Sequence, residues 1–134
     1  MDIKVKKLTP DAKVPEIKTD GAAGADLYCT WADGLTYGTG IAIEIPEGHV
    51  GLLFPRSSIP SGLFMRNSVG VIDSDYRGEL IVKFSAGTSY YEKYIEGDRI
   101  AQLVIMPIPS VSYIEAAELD TTNRGTGGFG STGR

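Results

Sequence analysis

Cysteine and histidine are nearly absent from this chain: Cys29 is its only cysteine and His49 its only histidine. One cysteine excludes an intrachain disulfide. One histidine excludes a histidine-based zinc site and leaves no spare for a Ser-His-Asp triad. Cys29 reads as a small packed hydrophobe, consistent with a reducing compartment. His49 follows Pro46-Glu47-Gly48 and reads as a surface residue at a turn. No apolar run approaches the roughly 18 residues of a membrane-spanning helix, and the leading MDIKVKKL holds no apolar signal core. Positive charge is in deficit as well, with 13 Lys and Arg against 17 Asp and Glu, a net charge of −4. Such a chain has no general field for a nucleic-acid backbone, so any phosphate it handles must meet a local basic cluster. Helical patterning is missing too, since no window of about eleven residues carries a 3.6-residue apolar stripe.

The pattern that is present belongs to strands. Ile3, Val5 and Leu8 begin an alternating run, and Ile41-Ala42-Ile43-Glu44-Ile45 alternates cleanly. Val50 to Phe54, Leu80 to Phe84 and Ile100 to Met106 are short, apolar and rich in β-branched residues. Turn clusters separate them at Thr19-Asp20-Gly21, Ala32-Asp33-Gly34, Pro46-Glu47-Gly48 and Glu96-Gly97-Asp98. One helical turn after Arg56-Ser57-Ser58 is compatible with the residues, and Pro60 limits it. The 134 residues suit one compact all-β domain, a barrel or sandwich.

Residues 121–134 differ in kind, with five glycines and Phe129 as the only large apolar side chain. A segment of this composition buries too little surface to fold alone and is expected to be mobile until a ligand orders it. Gly125-x-Gly127-x-x-Gly130 imitates a dinucleotide fingerprint, but the chain ends four residues later, without the helix or the distant acid that fingerprint requires. The Walker A likeness at Gly130-Ser131-Thr132 fails for want of a lysine. The amides, hydroxyls and arginines still suit an anion, and as a lid Phe129 would suit an aromatic ligand.

Three further clusters carry chemistry. Arg56-Ser57-Ser58 follows a strand and is either an ordinary surface turn or a bidentate phosphate site. Gln102 lies inside an apolar strand, where its amide needs a partner, with Arg99 close by in sequence. The densest cluster, Asn67 to Leu80, reads as a hairpin whose open end exposes backbone groups to a base edge. Asp73 follows Val71-Ile72 and is expected to be half-buried, either as a general base or as the Asx cap of the turn.

Taken together these segments resemble the five ordered motifs of the homotrimeric dUTPases. The matches are Gly24-Ala25-Asp26-Leu27-Tyr28, Pro55-Arg56-Ser57-Ser58, Gly70-Val71-Ile72-Asp73-Ser74-Asp75-Tyr76-Arg77-Gly78-Glu79, Gly97-Asp98-Arg99-Ile100-Ala101-Gln102-Leu103 and Arg124-Gly125-Thr126-Gly127-Gly128-Phe129-Gly130-Ser131-Thr132-Gly133. They occur in order over nearly the whole chain. The stretch from Ser58 to Asn67 is a residue or two shorter than is common in that family. It also carries Pro60 where many members have a short helix, and the tyrosines of Thr88 to Tyr94 have no counterpart in the motifs.

The resemblance implies a jelly-roll domain at 1–120 and an arm at 121–134 that closes over a neighbouring subunit's site. It implies a homotrimer in the cytoplasm, or the host cytoplasm for a viral protein, with no membrane or nucleic-acid partner. The implied reaction is Mg²⁺-dependent hydrolysis of dUTP to dUMP and diphosphate, limiting uracil in DNA and supplying dUMP for dTMP synthesis. Asp73 would activate the attacking water, with Ser57 near the bridge between the α and β phosphates and Gln102 in the phosphate region. Arg56 and Ser58 would bind phosphate, and Asp26 would support hydrated Mg²⁺. Asn67 and the backbone of Gly70, Val71 and Ile72 would read uracil, with Ile81 closing the pocket and Tyr76 stacking on the deoxyribose. Arg124, Ser131 and Thr132 would hold the terminal phosphate, Gly130 would contact the substrate, and Phe129 would cover the uracil. The alternatives are a dCTP deaminase of the same fold and a non-catalytic nucleotide-sensing or interaction protein.

Overall fold

Each short apolar stretch between turn residues becomes a strand. The computed structural model describes residues 1–133; Arg134, the last residue of the expected arm, lies outside the described residues. The strands are β1 Lys4–Lys7, β2 Ala25–Tyr28, β3 Trp31–Asp33, β4 Thr36–Gly38, β5 Ile41–Glu44, β6 His49–Phe54, β7 Leu63–Met65, β8 Gly70–Ile72, β9 Ile81–Ala86 and β10 Arg99–Pro107. Alternation sets their faces: in β9, Val82 and Phe84 are buried while Ile81 and Lys83 are exposed. No helix occurs among the described residues. Arg56 makes only a single turn, with the Ile59 amide donating to the Arg56 carbonyl at 3.2 Å.

All ladders are antiparallel. Two four-stranded sheets, β2-β10-β6-β8 and β3-β4-β9-β7, feed one core, and β1-β5 forms a small third sheet. The class is the expected one, all-β and jelly-roll-like, although the sheets keep free edges instead of closing into a barrel. Leu27, Leu53 and Leu103 from one sheet meet Tyr37, Val82 and Phe84 from the other. The rings of Tyr37, Phe84 and Tyr94 pack edge-on or tilted with centroids 5.5–5.8 Å apart. Such pairs contribute about 0.5–1.5 kcal/mol beyond their buried area. Cys29 is buried as expected, and that burial pushes its thiol up to about 11. Beyond Pro107 none of the described residues joins a strand, and Val111, Tyr113, Ile114 and Leu119 are exposed.

Candidate active site

β10 lies between β2 and β6, and its register puts Gln102 level with Asp26 on one side and Phe54 on the other. The chain leaving β6 as Pro55-Arg56 therefore emerges near Asp26. Arg56 Nε donates to Asp26 Oδ1 at 3.2 Å, and Arg99 Nη1 reaches Asp26 Oδ2 at 3.5 Å. The Asp26 side chain is only 14% exposed, so this ion pair is better shielded from water than an ordinary surface pair. Arg56 Nη1 also donates to Ser58 Oγ at 2.9 Å, and Gln102 Nε2 donates to the Pro55 carbonyl at 3.2 Å. The amide inside the apolar strand thus has the partner its position demands. Asp26, Arg56, Ser58 and Gln102 converge as the motifs suggested, with Ser57 exposed beside them.

The Thr88–Tyr94 stretch, which no motif explained, and Gly87 before it are tied to the chain just after this turn. The Glu92 amide donates to the Ser61 carbonyl at 3.0 Å and the Gly87 amide to the Gly62 carbonyl at 2.9 Å. Tyr94 enters the core, where its own amide donates to Tyr37 Oη at 3.2 Å. Burial pushes the Tyr94 phenol above its ordinary value, with the nearby Arg56 cation opposing the shift.

The second cluster lies around β8. This three-residue strand pairs with β6 alone and keeps its other edge free. Asn67, Gly70 and Ile81, with Leu53 and Met65, line a cavity of about 440 Å³. Val71, Ile72, Asp73, Tyr76 and Ile81 line a smaller one of about 170 Å³, so Ile81 borders both. Two expectations change here. Residues 67–80 do not form a paired hairpin, because β8 and β9 belong to different sheets. Leu80 is drawn away by its amide, which donates to the Ile41 carbonyl at 2.9 Å, and by the Thr39 hydroxyl, which donates to the Leu80 carbonyl at 2.7 Å. The gap left between the two strands is the cleft itself. Asp73 is exposed, not half-buried, because it leaves the end of an edge strand whose Val71 already faces solvent. The turn that carries it is held by Arg77 Nη1, which donates to the Ser74 carbonyl at 2.6 Å and the Tyr76 carbonyl at 3.1 Å.

The two clusters are far apart within one chain. Asp26 stands level with Phe54, two strands from β6, whereas Asp73 follows Ile72, which pairs with Gly51 on β6's other side. Three strand spacings across the sheet and four residues along it put Asp26 and Asp73 about 20 Å apart. The arm meets neither cluster: Arg124, Phe129, Gly130, Ser131 and Thr132 line neither cavity, and Phe129 is fully exposed. Its bonds are local, such as Arg124 Nε to the Gly127 carbonyl at 2.7 Å. Sequence reasoning missed Trp31, whose indole reaches Glu79 across 48 residues of chain. Gly38, opposite Trp31 in the ladder, was the only local signal.

A family model for dUTPase matches residues 10–133. The deoxyuridine 5'-triphosphate nucleotidohydrolase of Hydrogenobaculum sp. is 46% identical over 143 aligned positions, spanning 99% of each chain. The chain belongs to the dUTPase family. That of Nautilia profundicola is 39% identical over the full length of both chains. Among solved structures, a Staphylococcus bacteriophage 80alpha dUTPase variant with dUpNHpp superposes with a TM-score of 0.86 at 27% identity, over 99% of each chain. A dUTPase variant from phage phi11 of S. aureus, described with a structural Mg(II) ion, superposes at 0.74 and 26% identity, over 88% of this chain and 98% of that one. Family membership at this coverage makes the chain a hydrolase that splits dUTP to dUMP and diphosphate, and sets the deaminase and silent-sensor alternatives aside. No helix among the described residues is long and apolar enough to cross a membrane.

Proposed function

We propose that hydrolysis takes place in sites shared between copies of this chain, with Asp73 as the base. The observation that carries this reading is the separation of the two clusters. A triphosphate held by Arg56, Ser57, Ser58 and Gln102 cannot present its α-phosphorus to an Asp73 about 20 Å away on the same protomer. A homotrimer supplies what one chain lacks. One copy gives the phosphate cluster, a second the β8 cleft, and the arm of residues 121–134 comes from a neighbour of the domain at 1–120. The exposed Val111, Ile114 and Leu119 fit a segment that leaves its own domain for another copy.

In this arrangement the free edge of β8 at Gly70, Val71 and Ile72 hydrogen-bonds the uracil edge, Asn67 adds a side-chain amide and Ile81 forms the wall. Cytosine exchanges the donor and acceptor that uracil presents, which leaves buried groups unpaired and costs up to about 10⁴–10⁵ in rate. Tyr76 stacks on the deoxyribose and leaves no room for a 2′-hydroxyl. Asp73 accepts a proton from water, and the resulting nucleophile attacks the α-phosphorus in line with the departing diphosphate. Arg56 and Ser58 bind the phosphate oxygens, with Ser57 at the α–β bridge and Gln102 beside it. From the arm, Arg124, Gly130, Ser131 and Thr132 hold the terminal phosphate, while Phe129 covers the base and excludes water.

The donor set bears on the metal. Among the described residues no three His, Cys, Asp or Glu side chains come together, and Asp26 is a single carboxylate between two guanidinium groups. These residues fit a hydrated Mg²⁺ carried by the triphosphate, with Asp26 accepting from its waters, and do not fit a bare ion. When bound, that ion would neutralise phosphate charge. The related phi11 dUTPase carries a structural Mg(II) ion, which is consistent with magnesium in this family, and the 80alpha dUTPase with dUpNHpp supports the ligand. Incubation with dUTP and each common dNTP, reading diphosphate and ammonia with and without Mg²⁺, tests the reading. Diphosphate from dUTP alone, dependent on Mg²⁺, is the expected result. Equal turnover of dCTP or dTTP, or indifference to chelator, would contradict it.

A further inference from the structure

Tyr76 is held by a chain of contacts that begins two strands away. Its hydroxyl donates to the Glu79 carbonyl at 2.9 Å. Its ring lies so close over Gly78 that a Cβ there would fall on the phenol carbons. The Glu79 carboxylate is itself fixed, because Trp31 Nε1 donates to Glu79 Oε2 at 2.7 Å. Trp31 stands on β3 opposite Gly38, and Gly38 stands opposite Ile81 on β9. A Cβ at Gly38 would overlap the indole nitrogen and the Glu79 carboxylate, so the indole–carboxylate pair lies flat across a bare stretch of backbone. Trp31 and Glu79 are both half-buried, and Glu79 shares the lining of the small cavity with Asp73 and Tyr76.

We infer that Trp31 is a positioning residue for sugar discrimination, acting through Glu79 on Tyr76. An exposed aromatic ring on a turn excludes a 2′-hydroxyl only if it cannot swing aside. Tyr76 is 44% exposed, and the close contact of its ring is with the bare backbone of its own turn at Gly78. The turn residue Glu79 anchors it at the hydroxyl, and Glu79 is rigid because its other end is pinned by the sheet-borne indole. A charge-assisted bond from an indole N–H to a carboxylate is well suited to this, being short and directional. The inference rests on the assignment of Tyr76 to the sugar, made above.

The test measures kcat and KM for dUTP and UTP in Trp31→Phe, Glu79→Ala, Glu79→Gln, Tyr76→Ala and the Trp31→Phe/Tyr76→Ala double variant. Trp31→Phe keeps an aromatic ring and removes the donor; Glu79→Gln keeps an oxygen acceptor for it. Trp31→Phe and Glu79→Ala are each expected to lower the preference for dUTP over UTP by about tenfold or more, chiefly by admitting UTP. Glu79→Gln should keep most of that preference, and the double variant should match Tyr76→Ala. A merely structural role would instead weaken both nucleotides in proportion and leave their ratio unchanged. If Tyr76→Ala loses discrimination while Trp31→Phe and Glu79→Ala keep it, the relay is wrong and the assignment of Tyr76 stands. If Tyr76→Ala itself keeps discrimination, the underlying assignment is wrong, and the relay with it. Should Trp31→Phe fail to fold, the Glu79→Ala and Glu79→Gln pair decides alone, because a shared loss or shared retention of discrimination would overturn the relay.

Discussion

Complementation between two inactive variants tests the shared site most directly. Asp73→Asn retains the phosphate cluster and loses the base. Arg56→Ala retains the base and loses the guanidinium that Asp26 holds at 3.2 Å. Register across β2, β10, β6 and β8 puts those two functions about 20 Å apart in one chain. If each site draws them from different copies, co-refolding the variants in equal amounts creates intact sites. A site is whole when its phosphate side comes from the first variant and its base from the second. Random assembly gives each condition a probability of about one half, so about one quarter of all sites recover. Diphosphate release by the refolded mixture should therefore reach about 25% of wild type, against background for either variant alone. If both functions came from one chain, every site would carry one defect or the other and mixing would restore nothing. The controls are sedimentation of each variant, to establish equal assembly, and the same mixture without refolding, to set the rate of exchange. Background activity in a mixture shown to contain hybrid oligomers would refute the shared site.

Asp73→Asn alone should bind dUTP nearly as well as the parent and lose about 10²-fold or more in turnover, as titration and single-turnover hydrolysis would register; near-normal turnover would take the base role from Asp73. Removal of residues 124–134 should leave the folded oligomer intact and abolish efficient turnover, because residues 124–133 contribute no side chain to the core; full activity in the shortened protein would mean that the arm is no lid. Phe129→Ala should weaken nucleotide binding by about 1–3 kcal/mol, the usual worth of a base–aromatic stack, measured by calorimetry. Tyr37→Phe removes the acceptor of the buried Tyr94 amide and should cost about 1–3 kcal/mol in urea unfolding. An unchanged midpoint would show that the amide finds another partner.

The fold was legible where strands were long enough to display a period. Ile41–Glu44, His49–Phe54, Ile81–Ala86 and Arg99–Pro107 all fall on stretches whose apolar pattern marked them. Trp31–Asp33, Thr36–Gly38 and Leu63–Met65 have three residues each, less than two full alternations, and no period can be read from so few positions. The candidate site residues were marked by motifs, and their spatial division was not. Arg56 and Asp73 are 17 positions apart in sequence (73 − 56), yet they leave opposite ends of the ladder between β6 and β8. Antiparallel pairing carries the chain back along itself, so closeness in sequence does not place two residues at one end of a sheet.

The misjudged hairpin has the same cause as the cleft beside β8. An apolar Val-Ile pair before an acidic turn suggests a strand sealed by its neighbour, and a sealed strand would bury Asp73. β8 is sealed only by β6, while Leu80 is tied to Ile41 and Thr39 in the opposite sheet. Had β9 paired with β8, the amides and carbonyls of Gly70 to Ile72 would have been spent on the ladder, and no cleft would have remained between Ile72 and Ile81. An unpaired edge three residues long is too short to invite another strand and long enough to match the hydrogen-bonding edge of one base. The same opening leaves Asp73 in solvent, where it can reach water, and leaves the Tyr76 turn without a neighbouring strand to hold it. That is why the turn needs a tether from elsewhere, and the Trp31 indole on β3, bonded to the Glu79 carboxylate at 2.7 Å, is placed to supply it.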